Sequence, residues 1–131
     1  MNDEYFNSFC QKVLVKDQSI RFVGIADRLG HLITTTYRKN LIPLMDKGET
    51  ERYSVQTVLR AAMRESFEEK IGKLVFSVGI YQKLIRATIP IIASRQNKFY
   101  VLLSFDVGSE PNSIIVNKIL PEIEKNKDYF L

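Results

Sequence analysis

The residues of this chain that could do chemistry are few and scattered. His31 is the only histidine among 131 residues, which excludes a metal site built on two histidines. It stands four residues after Asp27 in RFVGIADRLGHLIT, where an imidazole and a carboxylate could in principle form an acid–base pair. Ser104 and Asp106 are two apart, a spacing that places both on one face of a strand, but no base neighbours them to activate the hydroxyl. Glu65, Glu68 and Glu69 lie together on a helical stretch, where Arg60, Arg64 and Lys70 at helical spacing are expected to neutralise them. Carboxylates exposed and paired in that way make poor general acids. Cys10 falls inside an apolar helical pattern with no basic neighbour, and reads as a buried core residue rather than a nucleophile.

Phosphate and metal motifs are also absent from the sequence. The glycines of GIADRLG are too far apart for a dinucleotide fingerprint and lead into a strand, and there is no GxxxxGK[ST] loop or Asp-rich calcium loop. No catalytic residue, cofactor or metal ligand is therefore assigned, and the chain reads as a non-enzyme.

Composition sets the frame for the elements. With 45% hydrophobic and 26% charged residues the chain has a globular balance and reads as one domain over residues 1–131. One cysteine excludes an internal disulfide and fits a reducing, cytoplasmic setting. No stretch approaches the ~18 apolar residues that a membrane span needs, and MNDEYFNSF lacks the order of a signal peptide. The net charge of +4 comes from dispersed Lys and Arg, with no basic run longer than two, so nucleic-acid binding is the weakest of the functional options.

Periodicity places the elements. Phe6, Phe9, Cys10, Val13 and Leu14 predict an amphipathic helix capped at Asn2 or Asp3. Ile20–Ala26 and His31–Tyr37 predict two strands joined by a corner at Asp27–Gly30, the first covered on both faces and the second at an edge. The passage from Arg38 to Glu51, with Pro43 and Gly48, reads as a crossover. A long helix follows, capped at Ser54 and closed by Gly72. Its apolar residues Val55, Leu59, Met63, Phe67 and Ile71 fall every four positions, so the stripe winds around the helix and predicts that its two halves bury different faces, or that it crosses its sheet obliquely. Alternation predicts strands over Leu74–Tyr81, Leu84–Ile92 and Phe99–Val107, each with one bulkier face, which suits two helices on one side of the sheet and one on the other. A last helix, capped at Asn112 or Ser113, presents Ile115, Val116, Ile119, Leu120 and Ile123, with Pro121 expected to kink or divide it. Tyr129, Phe130 and Leu131 are available to dock on the core.

The order helix, hairpin, long helix, three strands, helix, with an Asp-x-x-Gly corner at Asp27 and Gly30, resembles the Roadblock/LC7 family over about residues 3–125. Pro43 and Pro121 are departures expected of a divergent branch, with an archaeal lineage left as an open option. The resemblance implies an α+β fold: a five-stranded, mainly antiparallel sheet in the order 2-1-5-4-3, with the first and last helices on one face and the long helix on the other. It also implies a homodimer through the long helix and the third strand, using Val55, Leu59, Met63, Phe67, Phe76 and Val78.

Two functional readings follow. One is a dimeric interaction or regulatory scaffold for a small GTPase or a larger complex, with Arg52, Arg60 and Arg64 offered to acidic partners. The other is a profilin- or PAS-like small-ligand module with a pocket between the sheet and the crossover at Leu41–Met45, lined by Tyr37, Arg86, Tyr100 and Ser104.

Overall fold

Five antiparallel strands form one sheet in the order β2-β1-β5-β4-β3, in a computed structural model that describes residues 3–93 and 97–130. The strands are β1 (Ile20–Ala26), β2 (Leu32–Tyr37), β3 (Ser77–Ile80), β4 (Ile85–Ile92) and β5 (Lys98–Phe105). β1 and β5 lie inside the sheet because their side chains are buried on both faces, whereas β2 and β3 are the edges. The α+β architecture and strand order are those expected.

The sheet separates a thick layer from a thin one. On one face Ile20, Val23, Ile25, Ile85, Ile89, Val101, Leu103 and Phe105 pack against α1 (Asp3–Leu14) and the C-terminal helical segment. Phe6, Phe9, Cys10 and Val13 are the buried residues of α1. Burial pushes the Cys10 thiol up to about 12, which makes it an inert core residue as expected. Phe130 seals this layer among Phe6, Phe9 and Phe99, with ring centroids 5.3, 5.4 and 5.7 Å away. Its burial is worth about 2 kcal/mol. Tyr129 stacks on Tyr5 at 4.5 Å, while Leu131 lies outside the described residues.

Pro121 divides the last helix as expected. The chain runs as α4 (Pro111–Ile114), a wide π-type turn (Ile115–Ile119) and α5 (Leu120–Lys125). The wide turn, in which the Leu120 N–H donates to the Ile115 carbonyl, makes room for a proline ring at the start of α5. It also re-phases the apolar face: Ile114, Ile115 and Ile119 are buried, and Val116 is exposed rather than inward as its spacing suggested. The cap differs too, since Pro111 opens the helix after Glu110, one turn position before Asn112.

The thin layer holds Phe22, Ala26, Tyr100 and Leu102 of the sheet against α2 (Lys47–Arg64). This helix begins about two turns before the expected Ser54. Asp46 caps it, accepting from the Glu49 N–H, while the Glu49 side chain accepts from the Asp46 N–H, a complete capping box. The crossover is correspondingly shorter. A 3₁₀ turn (Glu65–Phe67) and α3 (Glu68–Ile71) continue the helix to Gly72, whose φ of 85° ends it. β3 is also shorter than its alternation suggested, starting at Ser77.

The sheet-facing residues of α2 are Thr50, Ser54, Thr57, Val58 and Ala61. The hydroxyls of Thr50 and Thr57 donate to the carbonyls of Asp46 and Tyr53, one turn back, and Ser54 Oγ donates to the Gly30 carbonyl at 2.8 Å. That last bond ties the helix to the β1–β2 corner. The corner itself is closed by Asp27, whose carboxylate accepts from the Leu29 and His31 N–H groups.

Gly30 has φ of 90°, and a Cβ there would lie 2.6 Å from Val55 Cα. Gly108, with φ of 85°, has open space where its Cβ would be. Gly108→Ala should therefore cost only the backbone strain, about 1–2 kcal/mol, whereas Gly30→Ala must also displace α2 and should cost clearly more. Urea unfolding of the two variants beside the parent checks this; equal costs would mean that the corner and α2 are not in close contact.

Candidate functional site

The apolar stripe of the long helix faces solvent along its whole length. Val55, Leu59, Met63, Phe67 and Ile71 are exposed, from 44% for Val55 to 83% for Ile71. This corrects the expectation that part of the stripe would be buried against the sheet. The side facing the sheet is instead the small and hydroxyl-bearing one, because the aromatic bulk of this layer comes from Phe22 and Tyr100. Val75 beyond the end of α3, Ile80 at the end of β3 and Tyr81 just after it are exposed. Helix stripe and sheet edge together leave several large apolar side chains in water on this side of the molecule. Phe76 and Val78, expected beside them, are half-buried against the thick core layer.

A second feature lies between α2 and the β3–β4 ribbon. Arg86, on β4, is half-buried and sits 3.9 Å from the centroid of the Tyr53 ring. Arg60 stands 5.8 Å from the same centroid and donates to Thr57 Oγ1 at 3.3 Å. Burial lowers the Arg86 pKa from its ordinary value, opposed by Tyr53, Tyr81 and Tyr37. Burial likewise raises the Tyr53 hydroxyl. Arg60, Arg64 and Arg86 line a cleft of about 150 Å³ here, whereas Arg52 lies apart in a hollow with His31, Glu51 and Val55. The expected pairing of Glu65, Glu68 and Glu69 with Arg60 and Arg64 is not what the structure shows: Glu65 is held by Lys98 at 3.2 Å.

The other candidate groups separate. Tyr37, Arg86 and Ser104 meet with Leu41 and Met45 around a space of about 30 Å³, while Tyr100 is buried elsewhere on that sheet face. His31 Nδ1 lies 3.4 Å from Asp27 Oδ2, but the imidazole is 71% exposed. Asp106 belongs to a charge cluster that had no sequence signal. It accepts two hydrogen bonds from Arg38, at 2.7 and 3.0 Å, and one from Arg21 at 3.2 Å. The hydrogen bonds from Arg38 hold the Asp106 carboxyl below the usual range, against the opposing effect of burial. Among the described residues no group of three or more His, Cys, Asp or Glu is placed to hold a metal ion, and no helix is long and apolar enough to cross a membrane.

A five-stranded antiparallel sheet ordered 2-1-5-4-3, with one long helix on the face opposite the two terminal helices, defines the class of structure. No protein-family model matches the chain, and no curated protein is similar to it in sequence. Solved structures are similar. MglB in a tetrameric arrangement aligns at TM-score 0.76 and 12% identity, covering 98% of this chain and 89% of that one. Myxococcus xanthus MglB aligns at TM-score 0.71 and 15% identity, over 98% and 92% of the two chains. A Roadblock/LC7 domain from Streptomyces avermitilis aligns at TM-score 0.70 and 6% identity, over 94% and 95%. The fold is Roadblock/LC7-like.

Linkage gives the Asp106 cluster a measurable pH signature. A carboxylate whose pKa is depressed on folding stabilises the protein above its unfolded pKa, near 3.9, and the contribution is lost as pH falls through the folded value. Asp106→Asn should lower stability at pH 7 by about 1 kcal/mol and flatten its decline below pH ~4. Parallel acid-unfolding curves for parent and variant would show the cluster to be energetically idle.

Proposed function

We propose that the chain is a dimeric, non-enzymatic interaction or regulatory scaffold that acts on a small GTPase or a larger complex. The observation that carries the reading is the continuous exposed stripe of Val55, Leu59, Met63, Phe67 and Ile71. Five large apolar residues winding along α2, the 3₁₀ turn and α3 stand in water only at a cost in solubility unless another surface covers them. A second copy supplies the same stripe in a self-complementary arrangement about a two-fold axis. The β3 edge continues that surface with unpaired backbone groups, to which the partner's β3 can add. Phe76 and Val78, half-buried against the core, belong to the β3 end of this proposed interface. Similarity to MglB in a tetrameric arrangement favours self-association.

The GTPase assignment rests on the fold resemblance. Arg60 and Arg64, with Arg52 in its separate hollow, are the cations offered to an acidic partner. The small-ligand reading has less support: Tyr37, Arg86 and Ser104 converge only on a space of about 30 Å³, against roughly 300 Å³ for a ligand pocket. The larger hollow of about 890 Å³ between β2 and the crossover includes Tyr37 but not Arg86, Tyr100 or Ser104.

Sedimentation equilibrium tests the dimer. The parent should sediment as a dimer, whereas Leu59→Glu and Phe67→Glu, both at exposed positions, should be folded monomers with dissociation constants raised at least about 100-fold. Val116→Glu, at an exposed position on the opposite layer, should leave the mass unchanged. A monomeric parent at high micromolar concentration would defeat the proposal.

A further inference from the structure

The cleft between α2 and the β3–β4 ribbon has the chemistry of an anion receptor. Three guanidinium groups line it, those of Arg60, Arg64 and Arg86, and no Asp or Glu does. Among the described residues none of the three has a carboxylate partner within salt-bridge distance. Of the nearby acids, Glu65 pairs with Lys98, and Glu65 and Glu68 line an adjoining hollow on the far side of Arg64, which borders both spaces without an ion pair to either. Removing a guanidinium from water without an anion is costly, and Arg86 is in that position. Among the described residues the one hydrogen-bond acceptor it reaches is the Met45 thioether at 3.5 Å, with the Tyr53 ring beneath it.

The charges also crowd one another. Arg60 and Arg86 share the Tyr53 ring at 5.8 and 3.9 Å, so both lie within about one Debye length, ~10 Å at 0.1 M salt. Each guanidinium retains planar N–H donors suited to paired oxygen acceptors. The Ser77, Thr57 and Tyr81 side chains add hydroxyls to the same lining. A single carboxylate would leave most of the three positive charges unbalanced. A phosphoryl group, carrying roughly −1.5 to −2, matches them better and presents three oxygens for the forks.

We propose that this cleft is a phosphoryl-binding site, in which Arg86 at the base and Arg60 and Arg64 on the helix side receive one phosphate or diphosphate group. The volume of about 150 Å³ suits the anionic group alone, with the rest of its carrier outside. The carrier is either a small phosphorylated molecule or a phosphorylated side chain, since both present the same oxygens. The site does not depend on the dimer: its residues come from one chain.

Titration of the whole protein with pyrophosphate, and separately with a phosphoserine tripeptide, tests this by amide chemical shifts and calorimetry at low salt. Shifts should concentrate at Tyr53, Thr57, Ser77, Gly79 and Thr88, and affinity should fall as salt rises. Arg60→Gln and Arg64→Gln, at exposed positions, should fold normally and each weaken binding roughly tenfold. Arg86→Lys should keep the charge, lose the fork and weaken it roughly tenfold or more. Tighter binding of pyrophosphate identifies a small-molecule carrier, and tighter binding of the peptide a phosphorylated side chain. No saturable shift with either probe, or shifts indifferent to all three variants, would overturn the site. Sedimentation of the same samples separates this result from the dimer: a monomer that binds pyrophosphate keeps the site and rejects only the scaffold reading.

Discussion

The hydrogen bond from Ser54 to the Gly30 carbonyl marks the approach on which much of the thin layer depends. It brings α2 so near the β1–β2 corner that a methyl group at Gly30 would run into the helix backbone. A helix held that close to a sheet carrying Phe22 and Tyr100 must present small side chains, and Thr50, Ser54, Thr57, Val58 and Ala61 meet that demand. The bulky residues of the same helix then have no place inward. Their exposure is the geometric counterpart of the close approach, and the exposed stripe is in turn the surface proposed for a second copy. One local constraint thus connects the corner, the helix and the proposed interface.

Much of the sheet was legible because strand alternation and burial obey the same period. Ile85, Ala87, Ile89 and Ile91 on β4, and Phe99, Val101, Leu103 and Phe105 on β5, fall on the thick-layer face as their spacing requires. Pro121 announced the division of the last helix, although not the π-type turn that exposes Val116 in place of Ile114. The start of α2 was written in the sequence as Asp46-Lys47-Gly48-Glu49, a capping-box spacing, but Pro43 and Gly48 read more strongly as loop. The direction of the helix stripe was not legible. A period-four apolar row looks the same whether it faces a core or a partner, and only the location of the small residues tells them apart.

The charged clusters were less accessible still, since they join residues distant in sequence. Arg38 and Asp106 are brought together by the β2–β1–β5 pairing, and an irregularity in β1 between Ile20 and Phe22 lies beside Arg21, the second cation on Asp106. The two arginine sets also contrast chemically. Arg21 and Arg38 share one carboxylate, so their demand for an anion is met within the fold. Arg60, Arg64 and Arg86 have an aromatic ring and hydroxyls around them but, among the described residues, no carboxylate within salt-bridge distance, which leaves that demand open. A net charge of +4 spread over the chain concealed this difference between satisfied and unsatisfied cations.

The 3₁₀ turn at Glu65–Phe67 separates the apolar stripe into unequal parts. Val55, Leu59 and Met63 ride on α2, which the thin core anchors through Val58 and Ala61. Phe67 and Ile71 are carried by the 3₁₀ turn and α3, two segments without a buried residue. Local opening free energy follows buried contact, so it declines along the stripe from the capped end towards Gly72. A partner on the proposed interface would therefore meet the two parts on different thermodynamic terms: the first as a preformed surface, the second as one whose ordering is linked to association. Covering Phe67 and Ile71 would raise amide protection across residues 65–71, so that the stability of the segment becomes a function of the concentration of whatever binds it.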